Sequence, residues 1–152
     1  MLDDIDIKIL DILQSNGRTK RNDLADKIGL SIPSTSDRLR KLEDDGYILG
    51  YAAILNPKRL GKDVTAFIIV KVDSAKHYQS FIEHAQNTDE ILECHAITGE
   101  GSHLLKIRTE SMTSLEKLLA KVQSWTGVID TRTNIVLSTS KETSRIKVTI
   151  SK

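Results

Sequence analysis

Ser34, Asp37, Arg38 and Lys41 recur at intervals of three or four residues, so a helix would place them on one face. Short polar side chains at the start of such a helix suit the edges of nucleic-acid bases, and cations one turn later suit the phosphates. The same pattern also occurs on ordinary solvated helices, where exposed arginine and lysine are common. For this helix alone, a DNA-reading face and a solvated face are both open interpretations.

The segment that holds these residues, from residue 18 to residue 49, predicts two short helices joined by a tight turn. Leu24 and Ile28 fall on one face of the first helix, and Gly29 follows at its C-terminus, where a left-handed residue is favoured. Ser31 is a suitable N-cap for the second helix, and Pro33 lies in its first turn, where a missing N–H costs little. Two helices joined in this way form a helix-turn-helix, whose second helix lies in the major groove of DNA.

The charge balance requires any DNA binding to come from a local basic face. The chain has 22 basic and 21 acidic residues, and residues 1–60 hold ten of each sign. Asp3, Asp4 and Asp6 cluster at the start of the predicted first helix, where they favour its dipole. Several copies acting together would raise the affinity of so neutral a chain. The candidate DNA-contact residues are Arg18, Lys20, Arg21, Ser31, Ser34, Thr35, Ser36, Asp37, Arg38, Arg40 and Lys41.

Composition is typical of a soluble globular protein, with 39% hydrophobic and 28% charged residues, and the scarcity of cysteine fits the reducing cytoplasm. No apolar run approaches the roughly 18 residues that a membrane span requires, and the acidic N-terminus is unlike a secretory signal. Cys94 is the single cysteine, so an intramolecular disulfide is excluded.

Neither a metal site nor an enzyme is expected. Cys94 and His95 would point to opposite faces of a strand, and the other histidines lack the spacing of zinc ligands. Glu83, Glu93 and Glu100 offer a general base, but no nucleophile or oxyanion site accompanies them. We therefore expect no cofactor.

The first fifty residues predict a three-helix domain. Leu2, Ile5, Ile9, Ile12 and Leu13 form a helical stripe that precedes the helix-turn-helix. Residues 47–55 are strand-like and predict a short wing or exit strand. We therefore expect a helix-turn-helix DNA-binding domain over residues 1–50, followed by a connecting strand and linker over residues 51–63.

The remainder of the chain, residues 64–152, predicts a βαββαβ order, which is the ferredoxin-like arrangement. Predicted strands cover residues 65–72, 91–98, 104–109 and 128–138, and predicted helices cover residues 76–86 and 115–122. Ile146, Val148 and Ile150 alternate, which predicts a short additional strand. The fold class is thus α+β, a winged helix-turn-helix joined to a ferredoxin-like domain. One face of its sheet would be bare in a monomer and would require a partner.

Several short motifs in both halves occur in a characteristic order and spacing. They are residues 2–10 (LDDIDIKIL), 16–18, 24–25, 29–31, 38–43 (RLRKLE), 46–48, 93–95, 98–99, 104–106, 127–128 and 131–133. Over essentially its whole length the chain resembles the Lrp/AsnC (feast/famine) family of transcription regulators. The resemblance implies an N-terminal domain that binds double-stranded DNA and a C-terminal effector-binding and oligomerisation domain. It also implies homodimers that assemble into octamers or related rings, and regulation by an amino acid or similar small metabolite.

The resemblance places the effector site at the hairpin after the second strand of the sensing domain. The usual pattern there is Thr-Gly-Asp-aromatic-Asp-aromatic-Leu-Leu, whereas residues 98–105 read TGEGSHLL. Glu100 keeps the first acidic position, but Gly101 and Ser102 replace an aromatic and an acidic residue. Either the effector differs from an ordinary amino acid, or this hairpin is a glycine-rich turn without an effector. The candidate effector-binding residues are Thr98, Gly99, Glu100, Gly101, Ser102 and His103.

Two other functions remain open at this stage. A protein without an effector could organise DNA through its multimer, and the Gly101 and Ser102 departures favour that alternative. A decarboxylase-type enzyme on the same scaffold, similar to the decarboxylases of haem biosynthesis, would be expected to lose the basic face of its second helix, which this chain keeps.

Overall fold

The computed structural model describes residues 1–149 and divides them into two compact units. The first unit contains residues 1–54 together with the tail from residue 141, and the second contains residues 55–140. The predicted boundaries had assigned this tail to the C-terminal domain. Among the described residues, no helix is both long and apolar enough to cross a membrane.

The first unit is the predicted three-helix domain, with helices α1 (Asp4–Ser15), α2 (Arg21–Ile28) and α3 (Ile32–Asp44). Asp3 and Asp6 begin α1 with a capping box, in which each carboxylate accepts the other's backbone N–H. Gly29 ends α2 at φ 74°, which glycine adopts without a Cβ clash. The core of this unit consists of Ile9, Leu10, Leu24, Ile28, Leu39 and Leu42.

The predicted wing strand is absent, because residues 47–55 form neither a helix nor a strand. The apolar residues that suggested a strand have no common buried face, since Leu49 is 98% exposed and Ile54 is 95% exposed. Tyr51 anchors the segment instead, since its hydroxyl donates to Glu43 Oε1 at 2.8 Å.

The second unit confirms the βαββαβ order. Its elements are β1 (Val64–Val72), α4 (Tyr78–Gln86), β2 (Ile91–Ala96), β3 (His103–Thr109), α5 (Met112–Gln123) and β4 (Val128–Ile135), with short 3₁₀ turns at Lys58–Leu60 and Ala75–His77. The four strands pair antiparallel in the order β2-β3-β1-β4. This arrangement places β1 and β3 at the centre of the sheet.

The two faces of this sheet differ in burial. Alternate residues of β1 and β3, such as Ile68 and Leu105, are fully buried in the core that includes residues of α4 and α5. The residues between them, including Phe67, Ile69 and Leu104, point to the opposite face and are only partly buried. Within the second unit this opposite face is the bare one that the sequence predicts.

The additional C-terminal strand is not formed within residues 141–149, and Ile150 lies outside the described residues. Val148 packs instead against the core of the first unit. The Ile146 side chain is 71% exposed, and its backbone is bound by Gln14, so the alternation does not mark one buried face.

Candidate nucleic-acid interface and effector groove

The exposed face of α3 carries polar side chains near its N-terminus. Ser31 caps the helix by accepting the Ser34 N–H at 3.3 Å, and the two hydroxyls lie 2.9 Å apart. Ser34, Asp37 and Lys41 are exposed on this face. Arg40, also exposed, donates to Asp37 Oδ1 at 2.8 Å, while Ser36 is half-buried.

Thr35 does not belong to the exposed face, so its assignment as a DNA contact is wrong. Its side chain is fully buried on the inner face of α3, and its hydroxyl donates to the Ser31 carbonyl at 2.9 Å. The residue follows the apolar stripe of α3, which also contains Leu39 and Leu42.

Arg38 is engaged within the helical unit. Its Nη1 lies 2.6 Å from Asp3 Oδ2 and 2.9 Å from Asp6 Oδ1, so the guanidinium joins the start of α1 to α3. These hydrogen bonds raise the pKa of Arg38, and backbone and arginine hydrogen bonds lower the pKa of Asp3. Sequence reasoning assigned the two aspartates to the helix dipole and missed this pair, because 35 positions separate Asp3 from Arg38. The geometry makes Arg38 a residue that positions α3.

The remaining cations surround the start of α2. Arg18, Lys20 and Arg21 are exposed, and Lys20 is the N-cap residue. No side chain caps this helix end, which leaves backbone N–H groups to bind an anion such as a phosphate. In a helix-turn-helix the first of the two helices crosses the DNA backbone.

The hairpin between β2 and β3 borders an open groove in the second unit. Besides Glu100 and other hairpin residues, the groove is lined by Lys71, Tyr78, Asp130 and Arg132. Arg132 forms an ion pair with Glu100 and lies 3.8 Å from Asp130. Sequence reasoning noted Arg132 only as part of the motif at residues 131–133 and did not assign Lys71, Asp130 or Arg132 to the effector site, although the alternation of their strands could have placed them on one face.

Ser102 is occupied by the backbone of β1. Its hydroxyl accepts the Val72 N–H at 3.0 Å and donates to the Val70 carbonyl at 3.2 Å. The hydroxyl thus fastens the hairpin to the sheet, a role that a larger acidic side chain at this position would disturb.

His103 is buried and is not available to an effector, so that assignment is wrong. Only 1% of its surface is exposed, and its ring centroid lies 4.8 Å from those of both Tyr78 and Phe81. Its Nδ1 lies 2.9 Å from Ser102 Oγ. Burial lowers the pKa of His103, because the cationic imidazolium would lose its hydration.

Gly101 is held tightly against β1, which yields the first prediction. A Cβ at this position would collide with the Ile69 side chain and would lie 3.2 Å from the Val70 carbonyl oxygen. We expect Gly101→Ala to lower the free energy of unfolding of this unit by about 1–3 kcal/mol, as overpacking does. Urea unfolding followed by the fluorescence of Trp125, the single tryptophan, measures the change. The matched control is Gly50→Ala, where a Cβ meets nothing within 4 Å; equal stability of the two variants would contradict the prediction.

The second prediction concerns pH. Because the pKa of His103 is lower in the folded protein than its ordinary value of 6.5, the unfolded chain binds more protons below that pH. Stability is therefore fully present above pH 6.5 and falls as the pH decreases toward the folded-state pKa. We expect urea unfolding of the wild type, followed by Trp125, to shift to lower urea at pH 5.5 than at pH 7.5.

His103→Asn should flatten this dependence, since the amide can donate to Ser102 without titrating. His95→Asn alters an exposed histidine of β2 whose ring lies 2.9 Å from Glu93 Oε1; it is the control and should leave the dependence between pH 5.5 and pH 7.5 intact. A wild type with the same stability at both pH values would refute the role of His103. Carboxylates with lowered pKa, such as Asp73 and Glu93, affect stability only at more acidic pH.

Together, the helix-turn-helix and the joined α+β unit define a two-domain DNA-binding regulator. Residues 2–48 match the model of a winged helix-turn-helix DNA-binding domain, and residues 65–146 match that of the Lrp/AsnC ligand-binding domain. The chain belongs to the Lrp/AsnC family of transcription regulators.

Individual relatives agree with this assignment over nearly the whole chain. The chain is 39% identical over 145 residues to a proline dehydrogenase transcriptional activator of Rhizobium radiobacter, covering 93% of each. It is 40% identical over 147 residues to the leucine-responsive regulatory protein of Haemophilus influenzae, covering 93% of this chain and 87% of the relative.

A solved structure is also similar. A Neisseria meningitidis transcriptional regulator in complex with L-methionine superposes with a TM-score of 0.92 at 34% identity, covering 96% of each chain. A Mycobacterium tuberculosis feast or famine regulatory protein, also complexed with L-methionine, gives a TM-score of 0.91 at 30% identity, covering 97% of this chain and all of the other.

Proposed function

We propose that α3 reads operator DNA in the major groove while the start of α2 holds the phosphate backbone. The observation that supports this most strongly is the exposed polar face of α3 beside an uncapped, basic α2 N-terminus. Ser31, Ser34 and Asp37 lie near the α3 N-terminus, where base edges are contacted. Lys41, Arg40, Arg18, Lys20 and Arg21 supply the cations for phosphates.

We further propose that the chain acts in the cytoplasm as a homodimer that assembles into an octamer or a related ring. The bare sheet face supports the dimer, because Phe67, Ile69 and Leu104 present apolar surface there. Pairing two such sheets would bury these side chains and bring two helix-turn-helix units to one operator.

We propose an amino acid or a related small metabolite as the effector, bound in the groove beside residues 98–102. Arg132 and Lys71 would attract its carboxylate, and Glu100 and Asp130 would attract its ammonium group. The ion pair between Arg132 and Glu100 has the same two charges as a zwitterion, so binding would exchange this pair for contacts with the ligand.

One observation favours a second candidate, a protein that organises DNA without an effector. The Ser102 hydroxyl is used by the backbone and Gly101 is packed against Ile69, so these two residues supply neither the second acidic group nor the aromatic ring usual at this loop. This candidate shares the DNA-binding unit but binds DNA fragments without selecting among them and does not respond to small molecules.

We propose no catalytic role for the chain. The decarboxylase-type alternative would bring tetrapyrrole colour to the purified protein, so an absorbance scan of the protein distinguishes it.

The experiment that tests the function is selection of bound fragments from a sheared pool of genomic DNA, followed by sequencing. A regulator enriches a small subset, whereas an architectural protein retains all fragments alike.

In parallel, thermal unfolding is measured with each of the twenty amino acids. A ligand at about 100 times its Kd stabilises by about 2.7 kcal/mol, and the absence of any shift would favour the protein without an effector.

A further inference from the structure

The tail of the chain is bound to α1 through its backbone. The Gln14 side-chain amide donates to the Ile146 carbonyl at 2.9 Å, and its oxygen accepts the Ile146 N–H at 2.7 Å. One side chain thus satisfies both polar backbone groups of a single residue, as a neighbouring strand would. Across 132 positions of sequence, this pair of hydrogen bonds fixes where the tail lies on the helix.

Further contacts extend this attachment on both sides of Ile146. Val148 is partly buried against the apolar core of the helical unit. Arg145 Nη2 lies 4.0 Å from Asp11 Oδ1, an exposed ion pair of small energetic value. The Thr143 hydroxyl accepts the Arg145 N–H at 3.1 Å just before the attachment.

We infer that residues 141–149 are a working part of the DNA-binding unit and that DNA affinity depends on their attachment. The route is continuous within this unit. The tail holds α1 through Gln14, α1 carries Asp3 and Asp6, and these carboxylates hold Arg38 of α3. If α1 is held less rigidly, α3 is therefore held less rigidly as well, and a helix that contacts bases must be held in a fixed position.

Two variants test the inference in the full chain. Gln14→Glu keeps an acceptor for the Ile146 N–H but replaces the donor to its carbonyl with a repelling oxygen. Ser15→Glu adds the same charge at the same helix end and serves as its control. Val148→Ser removes the apolar contact, and Lys147→Ser alters the exposed neighbour and is the second control.

Hydrogen exchange of the α1 amides measures the support directly, and Trp125 fluorescence confirms that the second unit stays folded. We expect both test variants to speed α1 exchange and to weaken DNA binding by about fivefold each, the effect of about one net hydrogen bond. The two controls should change each quantity less than twofold. Unchanged α1 exchange in both test variants would overturn the inference, as would faster exchange with unaltered DNA affinity.

The affinity readout rests on the proposed DNA-binding function, whereas the exchange readout does not. A wild type that binds no DNA would refute the proposed function and with it the link to affinity. In that case the exchange of α1 would still decide whether the tail supports the helices.

Discussion

Replacing Lys20 and Lys41 together with alanine is expected to weaken DNA binding strongly and to reduce its salt dependence. Each cation that neutralises a phosphate contributes about 0.9 to the slope of log K against log salt concentration. Losing one contact at α2 and one at α3 should therefore lower the magnitude of this slope by about two. Fluorescence anisotropy of a labelled operator fragment at several salt concentrations measures both the affinity and the slope.

The matched control is the double change of Lys117 and Lys121 to alanine on α5. Both lysines are exposed, and their loss alters the net charge by the same amount. If this control lowers the slope as much as the test variant does, overall charge and not the helix-turn-helix governs binding.

Arg38→Ala is expected to behave differently from the lysine variants, because Arg38 is bound by Asp3 and Asp6. Its removal leaves two carboxylates close together, with Asp6 only 15% exposed, and so should lower the thermal stability of the helices. Circular dichroism at 222 nm would follow the helical unfolding. A loss of stability with an unchanged salt slope would show that Arg38 positions α3 and does not contact a phosphate. Unchanged stability with a smaller salt slope would instead place Arg38 in the DNA interface.

The second large effect is expected at the bare face of the sheet. Phe67→Asp removes the aromatic ring from the face that carries Ile69 and Leu104 and leaves a carboxylate beside Lys106, so a partner sheet would have to bury charged groups there. We expect this variant to convert the proposed dimer to a monomer at micromolar concentration, raising the dimer dissociation constant by at least about a hundredfold. Sedimentation velocity measures the species present.

Phe67→Leu is the control, since it keeps an apolar side chain and should keep the dimer. The folding of both variants is checked by the fluorescence of Trp125, because Trp125 lies in the core on the face of the sheet opposite to Phe67. A dimeric Phe67→Asp variant that remains folded would place the interface elsewhere on the chain.

The sequence predicts the features that depend on local chemistry. The caps at Ser31 and Gly29 and the helical stripes locate the three helices, and the change to β-branched residues near residue 64 locates the first strand. The order of elements then predicts the antiparallel sheet.

Features that depend on distant residues were not predictable. Asp3 and Arg38 are far apart in sequence, so the engagement of the guanidinium appears only in three dimensions. Ile146 and Val148 alternate as in a strand, yet their partners are Gln14 and the helical core. Thr35 and His103 are polar types, and only their spacing from the apolar residues of α3 and β3 indicates that they are buried.

The central claim is that α3 reads bases in the major groove as part of a multimer. Methylation interference on the most enriched genomic fragment tests it most directly, since methylated guanine N7 projects into that groove. We predict interference at guanines in patches centred about 10–10.5 base pairs apart, one turn of the helix or a multiple of it. Binding that persists at full affinity on uniformly methylated DNA would contradict the account.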